Sequence, residues 1–250
     1  MRILLTNDDG IDAPGINILG KYLAAAGHEL IWCAPKTQQS ATSHSITLHK
    51  PIPIYKYSET RFAVDGRPTD SVLIAYHNFG ADAFDLVISG INQGHNLAED
   101  ILYSGTVAAA IEASFLGYRS IAISVTSFVD VQYETAAYHL CQLLDRGLAD
   151  QIASHEVLNI NVPNVGLDEI KGFKITHPGH RRYENFVTEI DAPHGNKLYW
   201  ISGEVIWGED AAADTAVIQE NYISISPIFP DFSKKEAHKR YQDWLQQTSQ

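Results

Sequence analysis

MRILLTNDDG, residues 1–10, places two adjacent carboxylates directly after a short apolar strand pattern. Asp8 and Asp9 repel each other by a few kcal/mol at an effective dielectric of about 20, so a cation should accompany them. Mg²⁺ or Mn²⁺ suits the pair, because hard cations take carboxylate oxygens and keep positions for water and phosphate. The alternative is a polar turn, since Asn-Asp-Asp-Gly is also favourable turn chemistry. The stretch therefore predicts an opening strand followed by a metal site or a turn.

The composition is that of an ordinary globular protein. With 250 residues, 45% of them hydrophobic, the chain can form one large domain or one domain with an appendage. Its formal charge of −12 argues against a nucleic-acid polymer or an anionic membrane as a partner. Cys33 and Cys141 lack metal-type spacing, the residues before Asn7 include no secretory h-region of useful length, and no uncharged run approaches the roughly 18 residues that span a membrane. We expect a cytoplasmic protein.

Residues 1–165 alternate short runs of Val, Ile and Leu with helical patterns, as in a parallel sheet flanked by helices. Strands are expected over residues 2–7, 28–34, 84–89, 120–125 and 157–162. Helices are expected over residues 14–26, 69–78, 107–116 and 133–148. Residues 47–64 contain Pro51 and Pro53 and should form an irregular or edge β segment. The order predicts the α/β class, with a Rossmann-like, doubly wound, mostly parallel sheet.

Residues 166–250 have a different pattern. Their strand-like runs, separated by long polar stretches, are expected to form hairpins, and they are residues 173–176, 198–202 and 222–226. Residues 233–236 form a capping box for a final helix whose Tyr241, Trp244 and Leu245 need a partner surface, in the same subunit or a neighbour. We expect one domain over residues 1–250, with residues 1–165 as its core. Residues 166–250 would be a hairpin and terminal-helix extension used in oligomerisation.

Three predicted strands end in segments rich in oxygen ligands, which matters because open α/β sheets bind ligands beyond the carboxyl ends of their strands. The segments are Asp8 and Asp9, residues 39–45 and residues 90–96. Residues 103–106 then lead into the helix expected at 107–116, whose N-terminus could bind phosphate. Ordinary N-capping by Ser104 or Thr106 is the alternative. An acidic pair beside a phosphate cradle suggests phosphoryl chemistry.

Other candidate motifs are interpreted as structural. Residues 15–21 fit G-x-x-x-x-G-K, but Tyr22 replaces the required Ser or Thr and the stretch follows a helical pattern. His177 and His180 lie in a turn-like context and are expected at the surface. Glu112 is expected on a solvated helix face, and a role in supporting the site residues from behind is the alternative. No G-x-G-x-x-G follows the first strand, so dinucleotide binding has little support.

Three strings, MRILLTNDDGIDAPGI, VISGINQGHNLAEDILYSGTVAAAIEA and YISISPI, resemble the SurE survival-protein family of metal-dependent 5′/3′-nucleotidases. The resemblance spans most of the chain. It implies a metal site made of Asp8, Asp9, Ser40 and Asn92. It also implies a substrate-phosphate site made of Asn96, Ser104, Gly105 and Thr106.

The resemblance further implies one Mg²⁺ or Mn²⁺ per subunit, nucleoside monophosphates as substrates, activity that extends to short polyphosphate, and a homodimer or homotetramer. Asp8 and Asp9 would be the catalytic residues, either by holding a metal that activates water or by attacking phosphorus directly. Two departures stand out. Ala41 replaces a usual glycine after Ser40, and Asn221 replaces the glycine before the last strand, where asparagine tolerates a left-handed conformation.

Two other classes also place acidic residues after a first strand. A receiver-like Mg²⁺-binding phospho-switch needs an acceptor aspartate after a middle strand and a lysine after a later one, where this chain has Asn92 and Ser127. A haloacid-type phosphatase needs Asp-x-Asp, where this chain pairs Asn7 with Asp9 or Asp8 with Gly10. The metal-dependent nucleotidase remains the favoured hypothesis.

Overall fold

The computed structural model of the chain describes residues 1–201, 203–231 and 235–248. Its centre is a nine-stranded sheet in the order β3-β4-β2-β1-β5-β6-β7-β13-β8. Its strands are β1 Arg2–Thr6, β2 Glu29–Pro35, β3 Ile54–Ser58, β4 Arg61–Val64, β5 Leu86–Gln93, β6 Ser120–Val125, β7 Val157–Val162, β8 Gly172–Ile175 and β13 Tyr222–Ile228. The six strands from β4 to β7 in this order are parallel, whereas β3 and β13 run antiparallel to β4 and β7. The predicted α/β class and mostly parallel sheet are confirmed.

Helices cover both faces of the sheet, as a doubly wound fold requires. The α-helices of the described residues are α1 Pro14–Ala25, α2 Pro68–Phe79, α3 Gly105–Phe115, α4 Tyr133–Asp145, α5 Leu148–Gln151, α6 Asp214–Gln219 and α7 Lys235–Thr248. Successive side chains of β1 point to opposite faces of the sheet. Ile3 and Leu5 pack in one apolar cluster with α1 and α4, and Leu4 packs in the other with α2 and α3.

The strand order reverses at β1, which lies between β2 and β5. In such sheets the crevice between the strands where the order reverses is the usual ligand site. Residues 7–10 follow β1, and β5 ends at Asn92 and Gln93. The fold thus brings two of the predicted oxygen-rich junctions to the same edge.

The hairpins expected for two segments are wrong. β8 and β13 join the central sheet instead, where β13 is antiparallel to β7 and parallel to β8. Their pairing partners are distant in sequence, so local pattern does not encode them. The helix expected over residues 133–148 also divides, because Gly147 adopts a left-handed conformation (φ 84°) between α4 and α5.

The remaining strands form a separate arm, which we define as residues 181–207. Its strands are β9 Arg181–Glu184, β10 Val187–Asp191, β11 Lys197–Ile201 and β12 Glu204–Trp207. β10 pairs with β11, the hairpin expected around residues 198–202, and β9 pairs with β12. Ser202 lies outside the described residues.

The terminal helix α7 is present, and Tyr241, Trp244 and Leu245 are exposed on it. Ser233 and Lys234 of the expected capping box lie outside the described residues. Within the described ranges, no helix has the length and hydropathy needed to cross a bilayer.

Candidate metal and phosphate site

The turn after β1 is fixed by its asparagine. Asn7 donates through Nδ2 to the Gly10 carbonyl oxygen at 2.8 Å, and its Oδ1 accepts from the Gly10 N–H at 3.2 Å. The polar turn expected for this stretch is therefore present, and the Asn7 side chain stabilises it. It leaves the carboxylates of Asp8 and Asp9 available for a ligand.

Asp8 is a buried carboxylate, only 5% exposed. Its Oδ1 accepts a short hydrogen bond from the Thr106 hydroxyl. A Cβ atom on Gly105 would lie 2.8 Å from Asp8 Cβ, so the first residue of α3 must be glycine for the helix to approach this closely. Desolvation by burial, together with the charge of Asp9, raises the pKa of Asp8 to about 7, although the Thr106 hydrogen bond acts to lower it.

Asp9 is more exposed and faces β5. Its Oδ2 accepts from the backbone N–H of Gln93 at 3.1 Å. Burial raises the pKa of this carboxyl as well. Tyr133, the first residue of α4, lies near Asp9. Burial, and secondly the negative charge of Asp9, raise the pKa of the Tyr133 hydroxyl to about 12.

Residues 36–47, which we name the Ser40 loop, lie across the same edge. The Gln39 N–H donates to the Asp8 carbonyl oxygen at 2.7 Å, and Ser40 is the next residue along the chain. Ser40 is exposed, and its Oγ accepts from Gln38 at 3.0 Å. Ala41, which replaces the glycine usual in the resembled family, adopts a left-handed conformation (φ 55°).

Further along, the Ser40 loop is tied to α3. The His44 Nε2 lies 2.7 Å from Glu112 Oε2, and the His44 ring stacks on Phe115 with centroids 5.8 Å apart. The Glu112 side chain is 16% exposed. The solvated face expected for Glu112 is therefore wrong, because the loop covers that part of the helix.

Asn92 supplies the fourth predicted metal ligand. Its Nδ2 donates to the Gly94 carbonyl oxygen at 2.8 Å, which orients the amide, and within the described residues its Oδ1 accepts no hydrogen bond. Neither Asp8 nor Asp9 forms an ion pair with a described Lys, Arg or His. Two desolvated carboxylates without a cationic partner among the described residues fit a hard divalent cation. Within the described ranges, no group of three or more His, Cys, Asp or Glu side chains has metal-binding geometry.

The N-terminus of α3 has the form of a phosphate cradle, although its hydroxyls already have protein partners. Ser104 is the N-cap, and its Oγ accepts from the Val107 N–H at 3.1 Å, so ordinary capping holds for this residue. The Thr106 hydroxyl donates to Asp8. The Gly105 N–H has no acceptor among the described residues, as expected at the start of a helix.

Asn96 is 5% exposed and belongs to a buried polar network. Its Nδ2 donates to Ser124 Oγ at 2.8 Å, and its N–H donates to Asn161 Oδ1 at 2.9 Å. Asn159 and Asn161 donate to its carbonyl oxygen at 2.8 and 3.0 Å. Asn96 is thus connected to the ends of β6 and β7 rather than directly to Asp8.

The sequence pattern does not reveal Gln93 or Tyr133 as neighbours of Asp9, or Asn161 as a support for Asn96. Gln93 and Asn161 lie at or near the carboxyl ends of β5 and β7, so position in the βα order was the available signal for them. Tyr133 begins α4, and no such signal marks it. Apart from Glu112, the residues interpreted as structural behave as expected. Gly15 lies inside α1, and His177 and His180 are exposed.

Comparisons with known proteins identify the family of this fold. The family described as survival protein SurE matches residues 3–185. A protein of Alkaliphilus metalliredigens named 5′-nucleotidase SurE is 44% identical over 96% of this chain and 97% of its own length. A protein of Carboxydothermus hydrogenoformans with the same name is 44% identical over 98% of this chain and 96% of its own.

A solved structure gives the same result for the fold. The crystal structure of the SurE protein from Aquifex aeolicus superposes with a TM-score of 0.88 at 35% identity, covering 96% of this chain and 98% of that one. The family match covers residues 3–185, and the relatives and the solved structure extend the similarity over at least 96% of the chain. The chain belongs to the survival protein SurE family.

Proposed function

We propose that this protein is a metal-dependent 5′-nucleotidase that hydrolyses nucleoside monophosphates to nucleoside and phosphate. The observation that carries the proposal is the pair of desolvated carboxylates, Asp8 and Asp9, beside the N-terminus of α3. Relatives that share about two fifths of the sequence are named 5′-nucleotidase SurE. Neither the receiver-like switch nor the haloacid-type phosphatase gains support from these relatives.

Asp8, Asp9, Ser40 and Asn92 would hold one Mg²⁺ or Mn²⁺ per subunit. Their oxygens are the donor types that these hard cations prefer. When bound, such a cation supplies Lewis-acid polarisation of the phosphate and a water molecule of lowered pKa. Thr106 holds the Asp8 carboxylate in place through its hydroxyl, and Gln93 does the same for Asp9 through its N–H.

Phosphate would bind at the start of α3. The Gly105 N–H and the Ser104 hydroxyl proton are free to donate to phosphate oxygens, and the helix dipole favours negative charge there. We include Asn96 as a phosphate contact through its amide, and Thr106 through the backbone at the helix start. Donors fixed before reaction stabilise the charge on the equatorial oxygens of the transition state. Hydrolysis forms a bond between the water oxygen and phosphorus, breaks the ester P–O bond, and passes one water proton to the leaving ribose oxygen.

The wider assignments follow from the same proposal. We expect hydrolysis of 3′-monophosphates and short polyphosphate as further activities, and a cytoplasmic location. Residues 166–250 would support a homodimer or homotetramer, because the arm and α7 expose apolar side chains in the single chain. We propose the whole chain as one domain.

The test is phosphate release from nucleoside 5′- and 3′-monophosphates in EDTA, Mg²⁺ or Mn²⁺. We expect release that requires metal and falls at least about 100-fold in Asp8→Asn and Asp9→Asn. Asp12→Asn is the matched control, because Asp12 is an exposed carboxylate that pairs with Arg61 at 3.2 Å. Metal-independent release, or equal activity in all three variants, would overturn the proposal.

A further inference from the structure

A cavity of about 660 Å³ lies between the segment that precedes α3 and the arm. It is lined by Tyr103, Arg181, Tyr183, Phe186, Ile201 and Gly203. Its volume falls within the range of about 300–1,000 Å³ typical of small-molecule sites. Three of its lining residues are aromatic and one is a cation, and none of them belongs to the set assigned to metal or phosphate.

Tyr103 connects this cavity to the phosphate cradle. It directly precedes Ser104, the N-cap of α3. Its carbonyl oxygen accepts from the Ser43 N–H at 3.0 Å, so it also contacts the Ser40 loop. One wall of the cavity is therefore the residue that adjoins the N-cap of α3.

The opposite wall is held rigidly by Arg181. Its side chain is only 8% exposed, and its Nη2 lies 2.5 Å from Asp100 Oδ1. Its N–H donates to Glu99 Oε2 at 2.8 Å, which ties the start of the arm to the segment before α3. The guanidinium lies over the Tyr183 ring at 4.5 Å from the centroid and near the Tyr103 ring at 6.0 Å. The guanidinium therefore orients the Tyr183 ring, whereas the Tyr103 ring lies at the outer limit of such an interaction.

We propose that this cavity binds the nucleobase of the substrate, with Tyr103, Tyr183 and Phe186 as its stacking surfaces. The inference rests on the proposed function and adds a binding site for the nucleobase, which the phosphate cradle does not contact. Nucleobases stack on aromatic side chains and on arginine, and their flat faces match rings left exposed beside a fixed guanidinium. Tyr103, Tyr183 and Phe186 are 57%, 41% and 61% exposed, so each has a face to offer.

The test compares AMP with ribose 5-phosphate, which keeps the sugar and phosphate but has no base. In Phe186→Ala and Tyr183→Leu we expect kcat/KM for AMP to fall about 10- to 100-fold. The value for ribose 5-phosphate should stay at that of wild type. Trp200→Ala is the matched control, because Trp200 is an exposed aromatic of the same arm that does not line the cavity.

The outcomes separate this inference from the function on which it rests. Suppose that wild type releases phosphate, and that the variants lose activity toward both substrates equally or toward neither. This result would overturn the base site and leave the nucleotidase proposal intact. Loss of AMP activity that accompanies dissociation of an oligomer in sedimentation would instead assign the cavity wall to a second copy of the chain. If wild type hydrolyses neither substrate, calorimetric titration with adenosine still tests whether the cavity binds a nucleobase. Binding weakened in Phe186→Ala supports the base site, and no binding by wild type rejects it.

Discussion

The strand-end edge around β1, β5 and α3 and the arm of residues 181–207 have opposite construction. At the edge, Asp8, Asn96 and Thr106 are buried, and each is hydrogen-bonded to another element of the fold. In the arm, every residue of β10 and β11 is exposed. We propose that chemistry which needs fixed oxygen ligands is built on the sheet, and that the surfaces which meet a ligand or a second chain lie on the arm.

The largest expected effect compares one glycine from each region. A Cβ on Gly15 in α1 would lie 2.0 Å from the Ile91 carbonyl oxygen, so Gly15→Ala must displace the helix or β5. We expect the free energy of unfolding to fall by about 3 kcal/mol or more. A Cβ on Gly195 in the arm would meet nothing within 4 Å, and Gly195→Ala should lose only about 1–2 kcal/mol from its left-handed backbone (φ 80°). Urea unfolding measures both, and equal losses would contradict the contrast.

The next effect is the pH dependence of stability without metal. Because the pKa of Asp8 is about 7 in the folded chain and 3.8 in the reference state, the folded state holds more protons between these values. The contribution of Asp8 is therefore fully present below pH 4 and is lost as pH rises through about 7, by a few kcal/mol. In EDTA, the stability of Asp8→Asn relative to wild type should increase over this range. A pH-independent difference between the two in urea unfolding would refute the account of the buried pair.

The smallest effect concerns the Ser40 loop. Ala41 holds a left-handed conformation (φ 55°) that glycine adopts without strain, so Ala41→Gly should raise the free energy of unfolding by up to about 1 kcal/mol. Asn221 also has a positive φ of 62°, but asparagine tolerates this region. Asn221→Gly should therefore change stability by less than Ala41→Gly, as thermal unfolding can measure. The reverse order would show that backbone strain is not what distinguishes the two positions.

Some features of the structure could be predicted from the sequence and others could not. In the sheet, apolar runs gave the bounds of β6 and β7 correctly, because buried parallel strands have a strong local pattern. The oxygen-rich junctions after β1 and β5 also meet as the βα order implies. The join of β13 to β7, by contrast, pairs residues far apart in sequence, and the hydrogen bond from Thr106 to Asp8 links residues 98 positions apart. Contacts of this kind depend on the assembled sheet, which a local pattern does not contain.

The most direct test of the central claim, that Asp8 and Asp9 hold a divalent cation, is a Mn²⁺ titration of metal-free protein followed by electron paramagnetic resonance. Wild type and Asp12→Asn should bind one Mn²⁺ per chain with the same affinity. In Asp9→Asn we expect affinity to fall roughly 10- to 100-fold or more. Unchanged binding in Asp9→Asn would contradict the account, because the desolvated carboxylate pair would then not be the metal site.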